Sequence, residues 1–316
     1  MPAFRLIAAA VLALVFAAPL ATPAPTLAIA ASETGPDAGP VAAAAGSGYK
    51  VVLIVGPMGA TQTRRNRDQA NQVASQAAAL GATVVKVYSP NATYAKARAA
   101  VANANIIVYW GHGSGYPNPY GSKLRRDRAN GWGLNTTTTH GDRDSWANHT
   151  LVYCGEKALR GNLTASDGAD QKKYCKAGRI HPAPGFVMIY VGSCYTAGQN
   201  ENGRPAASTT LAKAHLAYYS RPMLGSLGAG GYFAGRTWGI VTDLLAHPGE
   251  SFGDIFNAHM PGNVTSVVNV PHLFLSGKRE WLTRQPTDPY WFYAFAGNPA
   301  RTLNGSTSSF SDPRVP

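Results

Sequence analysis

Three short runs constrain this chain more than anything else in it: Lys50 to Val55 (KVVLIV), Asn105 to Trp110 (NIIVYW) and Phe186 to Val191 (FVMIYV). Each is apolar almost throughout instead of alternating, and each is only strand length. Segments of this kind are covered on both faces, as the strands of a parallel sheet are. Thr83 to Tyr88 (TVVKVY) supplies a further strand. Between the first two strands, Ala70, Val73, Ala74 and Ala77 recur at helical spacing, which predicts a helix over Thr63 to Leu80 stopped by Gly81. A shorter alanine-rich helix is expected over Thr93 to Asn103. The order β-α-β-α-β implies an α/β fold with a parallel sheet and right-handed crossovers.

Residues 114–184 interrupt this rhythm with Gly, Asn, Thr, Pro and charge, and read as a long insertion over one end of the sheet. Beyond Phe186 to Val191, Ser208 to Tyr219 sets Leu211, Ala214, His215 and Tyr218 on one helical face. Met223 to Phe233 reads as a glycine-rich strand. Ile240 to Leu245 and Phe252 to Ala258 read as helical, and Trp291 to Ala296 (WFYAFA) as a late strand or an edge.

The ends of the chain have a different character. Arg5 followed by the apolar run Leu6 to Leu20 and the small-x-small site Ala28-Ile29-Ala30 predicts a signal peptide over 1–30, with a retained membrane anchor as the competing reading. A flexible lead follows over 31–47. The domain is expected over 48–300 with a polar tail over 301–316. No later stretch is long and apolar enough to span a membrane. The expectation is therefore an exported protein, secreted or held outside the cytoplasm, without a stable membrane span after cleavage.

Lys and Arg number 28 against 16 Asp and Glu, a formal charge of +12. Outside the cell this excess points to anionic surface material or acidic substrates. The basic residues are scattered, which argues against nucleic acid. The densest basic stretch, Lys123 to Arg128 (KLRRDR), reads as a solvated loop, although Arg125 or Arg126 would suit an acidic substrate.

Three cysteines leave one thiol over. Cys154 and Cys175 share a polar, loop-like region and are expected to form a disulfide. Closing a ring of about 22 residues is worth on the order of 3 kcal/mol by the chain-entropy model. Cys194 ends an apolar strand and is the free thiol by elimination.

In parallel α/β sheets, binding groups gather beyond the carboxyl ends of the strands. NIIVYW runs into Gly111-His112-Gly113-Ser114-Gly115, and FVMIYV runs into Gly192-Ser193-Cys194. If those strands are neighbours, imidazole and thiol share one rim, where a protonated imidazole favours the nucleophilic thiolate. An apolar strand ending in His-Gly, followed by another ending in a small residue and Cys, resembles the motif pair of the caspase–gingipain–legumain peptidases. The stretches YWGHGSGYPNPY and GSCYTAGQNENG are also similar to exported bacterial proteins of this kind.

The resemblance covers roughly residues 50 to 235. It implies a three-layer sandwich around a mostly parallel sheet, with the insertion between the third and fourth core strands. It also implies a cysteine endopeptidase cutting peptide or protein substrates without an organic cofactor. Cys194 would be the nucleophile and His112 the general acid/base, with the Gly113 and Cys194 N–H groups stabilising the oxyanion. Ser114, Ser193, Tyr195 and Glu201 would line the cleft. Caspases carry Gln-Ala-Cys where this chain has Gly-Ser-Cys, so substrate preference does not transfer. The competing class is an inactive relative that keeps the fold as an extracellular or cell-surface binding protein.

Other clusters weigh less. His140, Asp142, Asp144 and His149 would suit at most a structural calcium, because neither HExxH nor a calcium-loop pattern is present. His215 lies on an apolar helix face, the place of a packed core histidine. Gly111 to Gly115 is out of register for a serine nucleophile elbow.

Overall fold

The computed structural model describes residues 48–235, 238–260, 264, 266–284 and 291–310. The expected signal peptide and lead lie outside the described residues, as does the tail beyond 310. The strands are β1 (Lys50–Val55), β2 (Thr83–Tyr88), β3 (Ile106–Trp110), β4 (Trp132–Asn135), β5 (Leu151–Cys154), β6 (Val187–Val191), β7 (Gly231–Gly235), β8 (Ser266–Pro271), β9 (Arg279–Arg284) and β10 (Trp291–Gly297). The helices are α1 (Gly59–Ala79), α2 (Tyr94–Ala100), α3 (Glu156–Leu159), α4 (Ala169–Tyr174), α5 (Thr209–Arg221), α6 (Ile240–Ala246) and α7 (Phe252–Ala258).

Eight strands form one sheet in the order β2-β1-β3-β6-β7-β10-β9-β8. The first five run parallel and the last three pair antiparallel. Every residue of β3, β6 and β7 is buried, as their unbroken apolar sequence requires of strands covered on both faces. β2 occupies one edge, and its exposed Thr83 and Lys86 suit a strand with one unpaired side.

One sheet face packs Val51, Leu53, Val108 and Ile189 against α1, α6 and α7. The other packs Val52, Ile107, Tyr109 and Tyr190 against α2, α5 and residues of the 114–184 segment. Helices therefore flank a mostly parallel sheet on both sides. The chain passes from β1 to β2 through α1 on one face and returns to β3 through α2 on the other. That reversal makes the carboxyl ends of β1 and β3 a topological switch point.

Several expectations need correction. Segment 114–184 does more than cover one end of the sheet: Trp132, Leu134, Val152 and Leu159 are core residues beneath it. Its strands β4 and β5 form a separate two-stranded sheet, and Asn135 of β4 also bridges to Thr93. α1 begins at Gly59, because nothing between Gly59 and Thr63 breaks a helix. α2 is confined to Tyr94–Ala100, and Asn103 beyond it already has a positive φ of 57°. The expected strand over Met223 to Phe233 is a π-helical turn over Pro222–Ser226, with the strand only at Gly231–Gly235. Proline cannot continue an α-helical ladder, and the turn is closed instead by the Leu227 N–H on the Pro222 carbonyl at 3.0 Å.

On α5 the buried face is Ala212, His215, Leu216 and Tyr219, so Leu211, Ala214 and Tyr218 stand at its margin. β10 is an interior strand, held there by the burial of Trp291, Tyr293 and Phe295. In the described part of the tail, residues 304–307 and 309 are exposed, Thr302 and Leu303 are buried, and the Phe310 ring packs 5.4 Å from that of Trp281. Among the described residues no helix is long and apolar enough to cross a membrane.

Candidate active site

β3 and β6 are parallel neighbours in a register that sets Trp110 beside Val191. Their carboxyl ends coincide, so Gly111-His112-Gly113 and Gly192-Ser193-Cys194 leave the sheet side by side. The two loops touch. A Cβ placed on Gly113 would stand 2.0 Å from the Cys194 carbonyl oxygen, so only glycine allows this approach. At Gly115 a Cβ would stand 2.4 Å from the Tyr195 Cβ. Ser193, expected along the cleft, is instead fully buried and donates from Oγ to the Gly111 carbonyl at 2.8 Å. It fastens one loop to the other.

The turn carrying the thiol is strained and braced. Gly192 and Tyr195 have φ of 63° and 68°, and for tyrosine that conformation costs on the order of 1 kcal/mol or more. The Ser193 carbonyl accepts from Thr196 Oγ1 and Gln199 Nε2, both at 2.7 Å. Tyr195 is itself buried, its ring edge-on to His215 at 4.9 Å. His215 sets Nδ1 3.1 Å from the Gly198 carbonyl and Nε2 2.9 Å from the Pro117 carbonyl. It thus bridges the loops that follow Cys194 and His112. Burial lowers its pKa, as expected of a packed core histidine.

His112 is anchored from below by the fully buried Tyr109. That hydroxyl lies 2.9 Å from the carbonyls of both His112 and Gly133, and accepts from the Gly133 N–H at 2.8 Å. The imidazole remains partly exposed, with Nε2 3.0 Å from Asp144 Oδ2. A carboxylate only accepts, so this contact places a proton on Nε2 and leaves Nδ1 as the basic nitrogen of the neutral ring. Asp144 had no individual signal in the sequence, where it was one of four polar residues suggesting a metal. Those four have separate partners: Asp142 pairs with Arg67, Asp144 with His112, His149 with Asp170, and His140 with Thr136. No group of three or more His, Cys, Asp or Glu among the described residues is arranged to hold a metal ion.

Cys154 and Cys175 form the expected disulfide, with Cα atoms 5.5 Å apart, and Cys194 is a partly buried cysteine outside that bridge. Gly113 is buried against the Cys194 backbone, and its N–H donates to no protein acceptor among the described residues. A cavity of about 470 Å³ is lined by Gly113, Ser114, Trp146, Tyr153 and Glu201, among others. Glu201 accepts from the Tyr120 hydroxyl. Tyr195 borders a separate cavity of about 380 Å³, which Glu201 also lines. No protein-family model, curated protein or solved structure matches the chain.

Proposed function

We propose that this chain is an exported cysteine endopeptidase of the caspase-like kind, working through His112 and Cys194. The observation that carries the reading is the adjacency of the two loops at the ends of β3 and β6, with the Cys194 backbone lying against Gly113. The Cys194 thiol gives its proton to His112 Nδ1, the thiolate attacks the scissile carbonyl, and the resulting oxyanion is held by the N–H groups of Gly113 and Cys194. His112 passes a proton from Nδ1 to the departing amine as the tetrahedral species collapses to an acyl-enzyme. Water then enters, His112 takes its proton, and the second collapse releases the acid and restores the thiolate. Asp144 acts through His112, keeping the Nε2 proton in place and stabilising the imidazolium form.

The disulfide supports a setting outside the reducing cytoplasm, and the charge of +12 supports attraction to anionic surfaces there. The test is digestion of a peptide library with varied residues before the cut, using wild type and Cys194→Ala. Reducing agent is kept low enough to spare the Cys154–Cys175 bridge. Cleavage present in wild type and absent in the variant supports the proposal. A folded wild type that cuts nothing, or a variant that cuts equally well, sinks it.

A further inference from the structure

The sheet register sets Ile106, Val187, Gly231, Gly297, Arg279 and Pro271 in one row. In the parallel strands this row is the amino-terminal end, opposite the rim that carries His112 and Cys194. The β8–β9 turn, residues 272–278, leaves from it. Among the described residues, Tyr120, Leu273 and Phe274 are the large hydrophobic side chains that stand exposed. Two of the three are consecutive in this turn, Leu273 at 60% and Phe274 at 38% exposure. Hydrogen bonds fix the turn in this shape. The Leu273 N–H donates to the buried Glu280 at 2.8 Å, the Phe274 N–H to His272 Nδ1 at 3.1 Å, and the His272 N–H to the Lys278 carbonyl at 2.9 Å. The Phe274 ring is braced by that of Tyr218 at 4.7 Å and by the Arg221 guanidinium at 5.3 Å.

Cations gather along the same edge. Burial and then the Arg301 charge lower the Lys278 pKa, the mark of like charges held near each other. Arg301 lies against Gly185, just before β6, where a Cβ would stand 2.7 Å from its Nη2. Arg179 donates from Nη2 to the Ser226 carbonyl, in the turn before β7, at 2.8 Å. Arg98 donates from Nε to the Arg179 carbonyl at 2.9 Å. None of Arg98, Arg179, Lys278, Arg279 and Arg301 is in an ion pair among the described residues. The run Lys123 to Arg128 differs, because Arg125 lies 3.1 Å from Asp127 and Arg126 lies 3.2 Å from Glu156. Carboxylates do not balance the edge. Glu280 is buried and already accepts from Leu273, and Glu250 lies on the other sheet face, in the turn from α6 to α7.

A surface with water as its only neighbour gains nothing from an exposed Leu-Phe pair, or from like charges gathered beside it. An anionic bilayer takes both: apolar side chains enter the boundary between headgroups and acyl tails, while Lys and Arg meet the lipid phosphates. We propose that the amino-terminal edge of the sheet is a docking surface for an anionic phospholipid bilayer, with Leu273 and Phe274 inserting and the five cations lying over the headgroups. Strands β3, β6 and β7, of 5 residues each, separate this edge from the other rim by roughly 17 Å, so docking turns His112 and Cys194 away from the lipid. The inference rests on the fold and not on the peptidase reading.

All core residues lie at Tyr49 or later, so the chain from Ala31 keeps the described fold. It also omits the apolar run Leu6 to Leu20, which would bind lipid by itself. Its binding is measured by co-sedimentation with vesicles of phosphatidylcholine alone and of phosphatidylcholine mixed with phosphatidylglycerol. Binding to the anionic vesicles should be roughly tenfold tighter and should weaken with salt. Leu273→Ser should weaken it several-fold, and Arg179→Gln with Lys278→Gln roughly tenfold. Lys123→Gln with Arg204→Gln, an equal change of charge among the residues lining the cavities of the opposite rim, should leave it intact. The urea midpoint of each variant is compared with wild type, so that lost binding is not lost fold. Equal binding to both vesicle types, unchanged binding in folded Leu273→Ser, or equal losses in the two charge variants overturns the inference. So does a dimer that forms without lipid and is dissolved by Leu273→Ser, which would make the occupant a second copy of the chain. Peptide cleavage by wild type, present or absent, decides the peptidase reading and leaves these outcomes untouched.

Discussion

Nε2 of His112 lies 3.0 Å from Oδ2 of Asp144, joining the loop after β3 to the polar stretch between β4 and β5. Asp144 is partly exposed, so its charge is screened and its effect moderate. Asp144→Ala should lower kcat roughly tenfold, equivalent to about 1.4 kcal/mol of barrier, with KM little changed. Asp144→Asn keeps an acceptor at Nε2 and should lose less activity than Asp144→Ala. Wild-type kcat in Asp144→Ala would reduce Asp144 to a packing role.

Tyr109 couples the sheet to the site more tightly. Tyr109→Phe removes the oxygen that accepts from the Gly133 N–H and the one proton it gives to the His112 or the Gly133 carbonyl. Leaving such groups unpaired costs about 1–3 kcal/mol. Urea denaturation should register that loss, and turnover should fall with it because the His112 carbonyl loses its anchor. Unchanged stability would mean that Tyr109 is mainly a ring in the core.

How much of this was legible in the sequence depends on the range of the cause. The central strands were readable because full burial demands unbroken apolar runs, and His112 and Cys194 because each directly follows one. The disulfide followed from three cysteines, two of them in a polar region. Asp144 was not legible as a partner of His112, because their contact depends on where β4 and β5 dock under the sheet. Nor could KLRRDR be parsed. Arg125, Arg126 and Arg128 have the same chemistry, and only Asp127 and the buried Glu156 separate their roles. β8 and β9 escaped because REWLTR owes its burial to β10, and charge in a strand gives no local signal.

The Cys154–Cys175 bridge ties β5 to the end of α4, within the segment that supplies Trp132 and Val152 to the core. Cys154→Ala with Cys175→Ala should cost about 3 kcal/mol of stability. Cys194 should remain alkylatable in the folded double variant, because the site is built on β3 and β6. Loss of selective Cys194 reactivity under folding conditions would show that the bridge also shapes the site.

Glu280 and His272 give a pH signature remote from the site. Their side chains lie 3.5 Å apart in ion-pair geometry, but the Phe274 N–H donates to His272 Nδ1 at 3.1 Å. That nitrogen therefore carries no proton, and the contact is not a salt bridge. Burial pushes the Glu280 carboxyl up from 4.5 to about 7, against the Leu273 N–H bond and Lys213, which lower it. Burial, then Arg221, pushes His272 down to about 4. For Glu280 the sign is that of a raised folded value: stability is complete below pH 4.5 and is lost as pH rises through 7. The displacement corresponds to about 3 kcal/mol. His272 acts oppositely, losing stability as pH falls from 6.5 towards 4, so the two slopes nearly cancel between pH 4.5 and 6.5 and their summed contribution is greatest there. Glu280→Gln keeps an acceptor for the Leu273 N–H and removes only the upper loss. Urea denaturation at pH 5 and pH 8 should show wild type losing about 3 kcal/mol more than the variant between those values. Parallel stability changes would mean that the folded protein carries Glu280 ionised throughout.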